Sequence, residues 1–209
     1  MRTLYIDTSS NYLFTSIVED NKIIAEIKEE YGQSLSEVAL PKIASMFETN
    51  NLSAKDIDKI IVVRGPGSFT GIRIGITIAK VYAWALKLPI ISILSLEAMA
   101  ISSNEEIVHV PMINARRGYV FAAIYDSNQK ELLKPQHIKI SDLKEKLSNI
   151  KDYEIISNDE FEEFTEIKEY SPNMLKIVNY FKDKEAVNPH AINPEYLKLT
   201  EAEEKNHDN

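Results

Sequence analysis

The chain has no cysteine, which excludes disulfides, thiolate zinc sites and a thiol nucleophile. It has no apolar run near the ~20 residues that a membrane-spanning helix needs. Its start, Met1-Arg2-Thr3-Leu4-Tyr5-Ile6-Asp7, reaches an acidic side chain too early for a secretory signal. These absences predict a soluble cytoplasmic protein with no membrane association. Histidine is scarce: His109, His137, His190 and His207 fall late in the chain with no i, i+4 pair, so no catalytic metal is expected. Basic residues thin out toward the end. The net charge is −8; residues 1–150 are balanced, and 151–209 carry the excess. Phosphate contacts need clustered Lys and Arg, so direct nucleic-acid binding by this chain alone is disfavoured.

What is there is a long alternation of strand and helix signals in 209 residues, enough for one large domain or two small lobes. Leu4–Ile6, Tyr12–Val18 and Lys22–Lys28 read as strands, with Glu19-Asp20-Asn21 as a hairpin turn. Ser34 to Glu48 reads as a helix with capping-box spacing between Ser34 and Glu37. A strand at 58–64, a helix at 68–87, a strand at Ile90–Ile93 and a helix from Ser95 follow. The second half repeats the opening: strands at Val108–Ile113, Tyr119–Tyr125 and Glu131–Ile140, a helix at 141–149, a strand at Tyr153–Ile156 and a helix at 173–184. The repetition suggests two lobes, 1–104 and 105–199, with a polar, fraying tail at 200–209.

Glycine is also scarce, six in all, and the stretch Gly65–Gly75 holds four of them. Gly65-Pro66-Gly67-Ser68 breaks the chain after Ile60-Ile61-Val62-Val63, and Ser68 or Thr70 can cap the helix that follows. A strand, a glycine turn and a helix N-terminus can present N–H groups to an anion. No Lys-Ser/Thr follows, so this is not a Walker loop. The other reading is a tight turn without a ligand. Gly71, Gly75, Ala79 and Ala83 recur every four residues and form one ridge on a helix. Glycine there costs ~1 kcal/mol relative to alanine, so a close-packed backbone is expected. If that backbone belongs to a partner, Gly75→Leu blocks association and spares the fold.

Asp7-Thr8-Ser9, Ser36-Glu37 with Leu40-Pro41, the full Gly65–Gly75 motif and Ser95-Leu96-Glu97-Ala98-Met99-Ala100 resemble the bacterial TsaB (YeaZ) family. Asn114–Gly118 and Pro194–Lys198 carry weaker echoes. The resemblance implies an α/β, actin-like ATPase (ASKHA, RNase H-like) fold, two lobes of duplicated β-β-β-α-β-α type with mixed sheets. It implies a non-catalytic partner of TsaD in making threonylcarbamoyladenosine beside the tRNA anticodon, with TsaE in a larger complex. It implies a homodimer in isolation, tRNA contact only through the complex, and no cofactor. The implied partner interface is Ser36, Glu37, Leu40, Gly71, Arg73, Gly75, Ala79, Tyr82 and Ala83, on helices 34–48 and 68–87. Asp7, Thr8, Ser9, Gly65, Gly67 and Ser68 would form a degenerate nucleotide cleft or anion loop.

TsaD-type relatives place metal-binding histidines where this chain has Ser95 and Met99, poor ligands for a hard cation. The sequence departs from the family pattern at Leu35, Asn114 and Lys198, where many relatives have His, Asp and Arg. An alternative is a stand-alone nucleotide-binding phosphohydrolase or kinase of the same fold. A protease finds no support, since no G-x-S-x-G elbow is present.

Overall fold

The structure, a computed structural model, describes residues 1–31 and 34–198. β1 (Arg2–Asp7), β2 (Tyr12–Glu19) and β3 (Lys22–Glu30) form an antiparallel meander. Asp20 and Asn21 turn the first hairpin with φ of 44° and 69°, the doubly positive pair that a two-residue turn needs. β1 and β2 are apolar along most of their length and buried on both faces. β3 spaces Lys22, Glu26, Lys28 and Glu30 along the sheet edge and stays largely exposed, and such charges discourage edge pairing.

After α1 (Leu35–Thr49), β4 (Lys59–Val63) adds parallel to β1; after α2 (Phe69–Leu86), β5 (Ile90–Ile93) adds parallel to β4. The order is β3-β2-β1-β4-β5. α3 (Ser95–Ser102) leads to a second sheet of β6 (Val108–Arg116), β7 (Tyr119–Tyr125), β8 (Glu131–Lys139), β9 (Tyr153–Ser157) and β10 (Lys168–Glu169). Its order, β8-β7-β6-β9-β10, repeats the first, again with three antiparallel strands and two parallel ones. This duplicated mixed sheet is the actin-like architecture.

Period two decides which helix each strand residue meets. Ile60 and Val62 face α1 and α2, whereas Ile61 and Val63 face α3 and α5 (Met174–Phe181). α3 lies between the sheets: Ala98 and Ile101 join the first, while Leu96, Met99 and Ala100 meet Ala123, Tyr125 and Ile156 of the second. α4 (Ile140–Leu147) lines the second sheet with Leu143 and Leu147. Each fully buried Ile or Leu contributes ~1.5–3 kcal/mol.

Four expectations change. The stretch 105–199 does not keep to its own sheet, because α5 returns to pack on Tyr5, Phe14 and Ile91. The strand expected at 153–156 is followed not directly by the 173–184 helix but by an irregular segment and a further strand, β10, with Phe161 and Phe164 packed edge to face at 6.5 Å in between. Ser34 forms no capping box: its hydroxyl donates to the Tyr31 carbonyl at 2.8 Å, and its own backbone is already helical. The fourth concerns the small-residue ridge. Gly71, Gly75, Ala79 and Ala83 are all buried within the chain. A Cβ on Gly71 would lie 2.1 Å from the Thr8 carbonyl oxygen, and one on Gly75 would lie 2.3 Å from Thr8 Oγ1. The close backbone is β1's own extension. These four residues are therefore removed from the expected partner interface. The polar tail expected at 200–209 lies outside the described residues.

Helix propensity alone favours alanine over glycine by ~1 kcal/mol. Gly71→Ala is nevertheless expected to lower stability by ~1–3 kcal/mol through overpacking against Thr8. Urea denaturation checks the sign: a stabilised variant would show that the ridge has room.

Candidate functional site

The glycine turn is closed by the chain itself. Ser68 N–H donates to the Ser9 carbonyl at 2.6 Å, and Thr8 Oγ1 donates to the Gly71 carbonyl at 2.7 Å. Gly67, at φ 153°, has no space for a Cβ, which would sit 2.1 Å from Ser9 O. From the other side, Ser95 N–H donates to Gly65 O at 2.9 Å and Ser95 Oγ donates to Pro66 O. From a third, Glu195 N–H donates to the Arg64 carbonyl at 2.8 Å, and its carboxylate pairs with the Arg64 guanidinium. Ser68 caps α2 by accepting from Gly71 N–H at 3.2 Å. The N–H groups of Ser68 and Gly71 thus have internal acceptors. The structure places Asp7, Thr8, Ser9, Gly65, Gly67 and Ser68 around one stitched turn.

Asp7 ends β1 with 2% exposure. Its Oδ1 accepts from Ser9 N–H at 2.8 Å and Ser9 Oγ at 2.7 Å, and Tyr5 OH donates to Oδ2 at 3.3 Å. Burial pushes its pKa above the ordinary carboxylate range, although the Ser9 and Tyr5 bonds pull the other way. The residue faces a cleft of about 1090 Å³ between the two sheets. Among the described residues, Asp7, Glu30, Asp159, Glu160 and Glu169 line it against a single cation, Arg116. A cleft of this sign repels phosphate. Ser95 and Met99 lie on its wall, and among the described residues no three His, Cys, Asp or Glu side chains gather into a metal-binding group.

The outer face of α2 differs from its glycine side. Phe69, Val81 and Trp84 are 56%, 59% and 69% exposed, with Arg73 and Thr77 on the same arc. Arg73 lies over the Phe69 ring at 3.7 Å and donates from Nε to Tyr196 OH at 3.0 Å. Leu40 of the neighbouring α1 is 51% exposed, and Ser36 and Glu37 are open beside it. Tyr82 is half-buried, its ring edge-on to Phe47 at 6.2 Å. So Ser36, Glu37, Leu40 and Arg73 occupy an open surface, and Tyr82 its margin. Phe69, Val81, Trp84 and Tyr196 were not anticipated. Their signal is large apolar residues opposite the small ridge, Trp84 being the single tryptophan.

The geometry of an actin-like pair of sheets with a closed turn has clear relatives. Over 224 residues the chain is 30% identical to the tRNA threonylcarbamoyladenosine biosynthesis protein TsaB of Bacillus subtilis, covering 98% of this chain and 97% of that protein. The chain belongs to the TsaB (YeaZ) family. It is also 33% identical to Escherichia coli TsaB over 62% of this chain and 57% of that one. Residues 22–181 match the family described as TsaD, tRNA N6-adenosine threonylcarbamoyltransferase. The fold matches YeaZ from Pseudomonas aeruginosa with a TM-score of 0.75 at 18% identity, over 94% of this chain and 99% of that one. Membership places the chain among proteins of tRNA threonylcarbamoyladenosine biosynthesis. No helix among the described residues is long and apolar enough to cross a membrane.

Asp7 yields a pH prediction. Its folded-state pKa is raised, so the stability linked to its protonation is complete below the unfolded value of ~3.9 and is lost as pH rises through the folded one. Asp7→Asn is therefore expected to melt above the wild type at pH 7. That advantage should fade as the pH falls toward 4. Melting curves across this range check it; a variant less stable at pH 7 would mean that the ionised carboxylate is needed for the Ser9 bonds.

Proposed function

We propose that this TsaB-family chain is a non-catalytic subunit that binds TsaD through the outer face of α1 and α2. Threonylcarbamoyl transfer to tRNA would then take place on TsaD. The observation that carries this reading is the outward apolar arc of Phe69, Val81 and Trp84 beside Leu40. Large aromatic side chains dominate protein–protein hot spots, and here they stand on a helix whose opposite side is fixed to the sheet. Ser36, Glu37 and Arg73 give that arc a polar rim, and Tyr82 borders it.

The non-catalytic part of the reading draws on the turn. Its anchoring N–H groups are used internally, and the cleft in front of it is acidic. A phosphohydrolase or kinase would need phosphate contacts at this point. In this reading a homodimer would use the same face and compete with TsaD, TsaE would join the larger assembly, and tRNA would meet the complex through the partner.

Trp84→Glu tests the surface. Its side chain is mostly in solvent, so the melting temperature is expected to stay near wild type. Affinity for cognate TsaD, measured by titration calorimetry, is expected to fall at least tenfold, ~1.4 kcal/mol. Undiminished affinity would reject this face. Nucleotide hydrolysis by the isolated chain would favour the enzyme reading instead.

A further inference from the structure

Two crossovers join the sheets: residues 103–107 between α3 and β6, and residues 170–173 between β10 and α5. The first runs beside a carboxylate of the second sheet, that of Glu154 on β9, and the second follows Lys168, which pairs with the same carboxylate. Its Oε1 accepts the Ser103 hydroxyl and lies 3.0 Å from His109 Nδ1; its Oε2 pairs with Lys168 Nζ at 2.8 Å. Lys168 also reaches Ser103 Oγ at 3.3 Å. The second crossover is tied to the same point. Lys176, in the first turn of α5, donates to the Ser103 carbonyl, and Asn173 N–H donates to Ser102 Oγ at 3.1 Å.

The cluster is buried where it matters. His109 is 1% exposed, Ser103 4% and the Glu154 side chain 12%. Burial, with Lys176 and Lys168 nearby, holds the His109 pKa below its ordinary value despite the Glu154 charge, so the ring is neutral near pH 7. A neutral ring beside a carboxylate places its proton on Nδ1 and donates to it. Burial opposes ionisation of Glu154, but Lys168 and Ser103 outweigh it and hold its pKa below the usual carboxylate range. An ionised carboxylate with donors from His109, Ser103 and Lys168 is satisfied on both oxygens, and truncating it strands all three.

We propose that Glu154 is a clasp that locks the two crossovers to the second sheet and so sets how far the cleft between the sheets opens. Among the described residues the crossovers are the only covalent links between the sheets. Any hinge motion of one sheet against the other must pass through residues 103–107 and 170–173; Glu154 holds Ser103 at the start of the first and Lys168 just before the second, while Asn173 and Lys176 tie the second to Ser102 and Ser103. Without the clasp, α3 and α5 remain packed on the first sheet through Ala98, Ile101, Met174 and Ile177, while the second sheet gains freedom to rotate.

The absence of cysteine makes the test direct, because two introduced cysteines carry all of a spin label. Ser45→Cys on α1 and Glu145→Cys on α4 are exposed positions flanking the two sheets. Pulsed dipolar spectroscopy on the labelled full chain, mixed with excess unlabelled chain so that only intramolecular pairs are read, is expected to give one narrow distance distribution. With Glu154→Gln added, the distribution is expected to broaden and its mean to shift by several ångströms, with far-UV circular dichroism unchanged. Lys176→Met, which cuts only the second tie, should broaden it less. Should Glu154→Gln not fold, Ser103→Ala takes its place and is expected to broaden the distribution in the same way. A folded Glu154→Gln chain, or Ser103→Ala chain in its stead, with the wild-type distribution would overturn the clasp.

Discussion

The contact on which the rest depends is Thr8 against the glycine side of α2. Thr8 is fully buried; its hydroxyl donates to Gly71 O, and its atoms fill the space that side chains at 71 and 75 would take. This contact brings a helix down onto the end of the central strand. It also forces Gly67 against Ser9 and aligns the turn from Gly65 to Ser68. Glycine's conformational cost in α2 is the condition for that approach.

The proposed function follows from which side of α2 is used up. The glycine side has no free surface, and the turn's donors satisfy β1. In the proposed role recognition falls to the opposite arc, where Val81 and Trp84 are exposed, flanked by Phe69 and Arg73. The C-terminal segment strengthens this arrangement. Ile192 enters the first core, Lys80 Nζ donates to the Ile192 carbonyl at 3.0 Å, and Tyr196 stacks on Phe69 at 5.5 Å. The strap thereby stiffens the start of α2 while leaving its middle and end open.

Most of the fold was legible in the sequence because its elements carry strong local signals. The run Ile60–Val63, the Asp20-Asn21 turn and the helix formers after Ala79 each point one way. Ile72, Ile74, Ile76 and Ile78 alternate as a strand's residues would, yet they lie on α2, where the long run of helix formers after Ala79 prevails. What failed was non-local. Spacing located the Gly71–Ala83 ridge but could not name the backbone that packs on it, so a self-contact was read as a partner contact. The return of α5 to the first sheet has no local signature, because an amphipathic helix looks the same whichever sheet it covers. β10 is two exposed residues, Lys168 and Glu169, with no apolar pattern. The Glu154 cluster joins residues from five segments, so no window of sequence contains it.

The central claim is that the outer face of α1 and α2, and not the cleft, meets TsaD. Hydrogen–deuterium exchange on this chain, alone and with saturating cognate TsaD, tests it most directly. The predicted result is slower exchange confined to residues 35–49 and 69–86 and the 192–198 strap beside them. Protection centred on the cleft walls, at residues 112–116 and 157–170, with α1 and α2 unchanged, would contradict it.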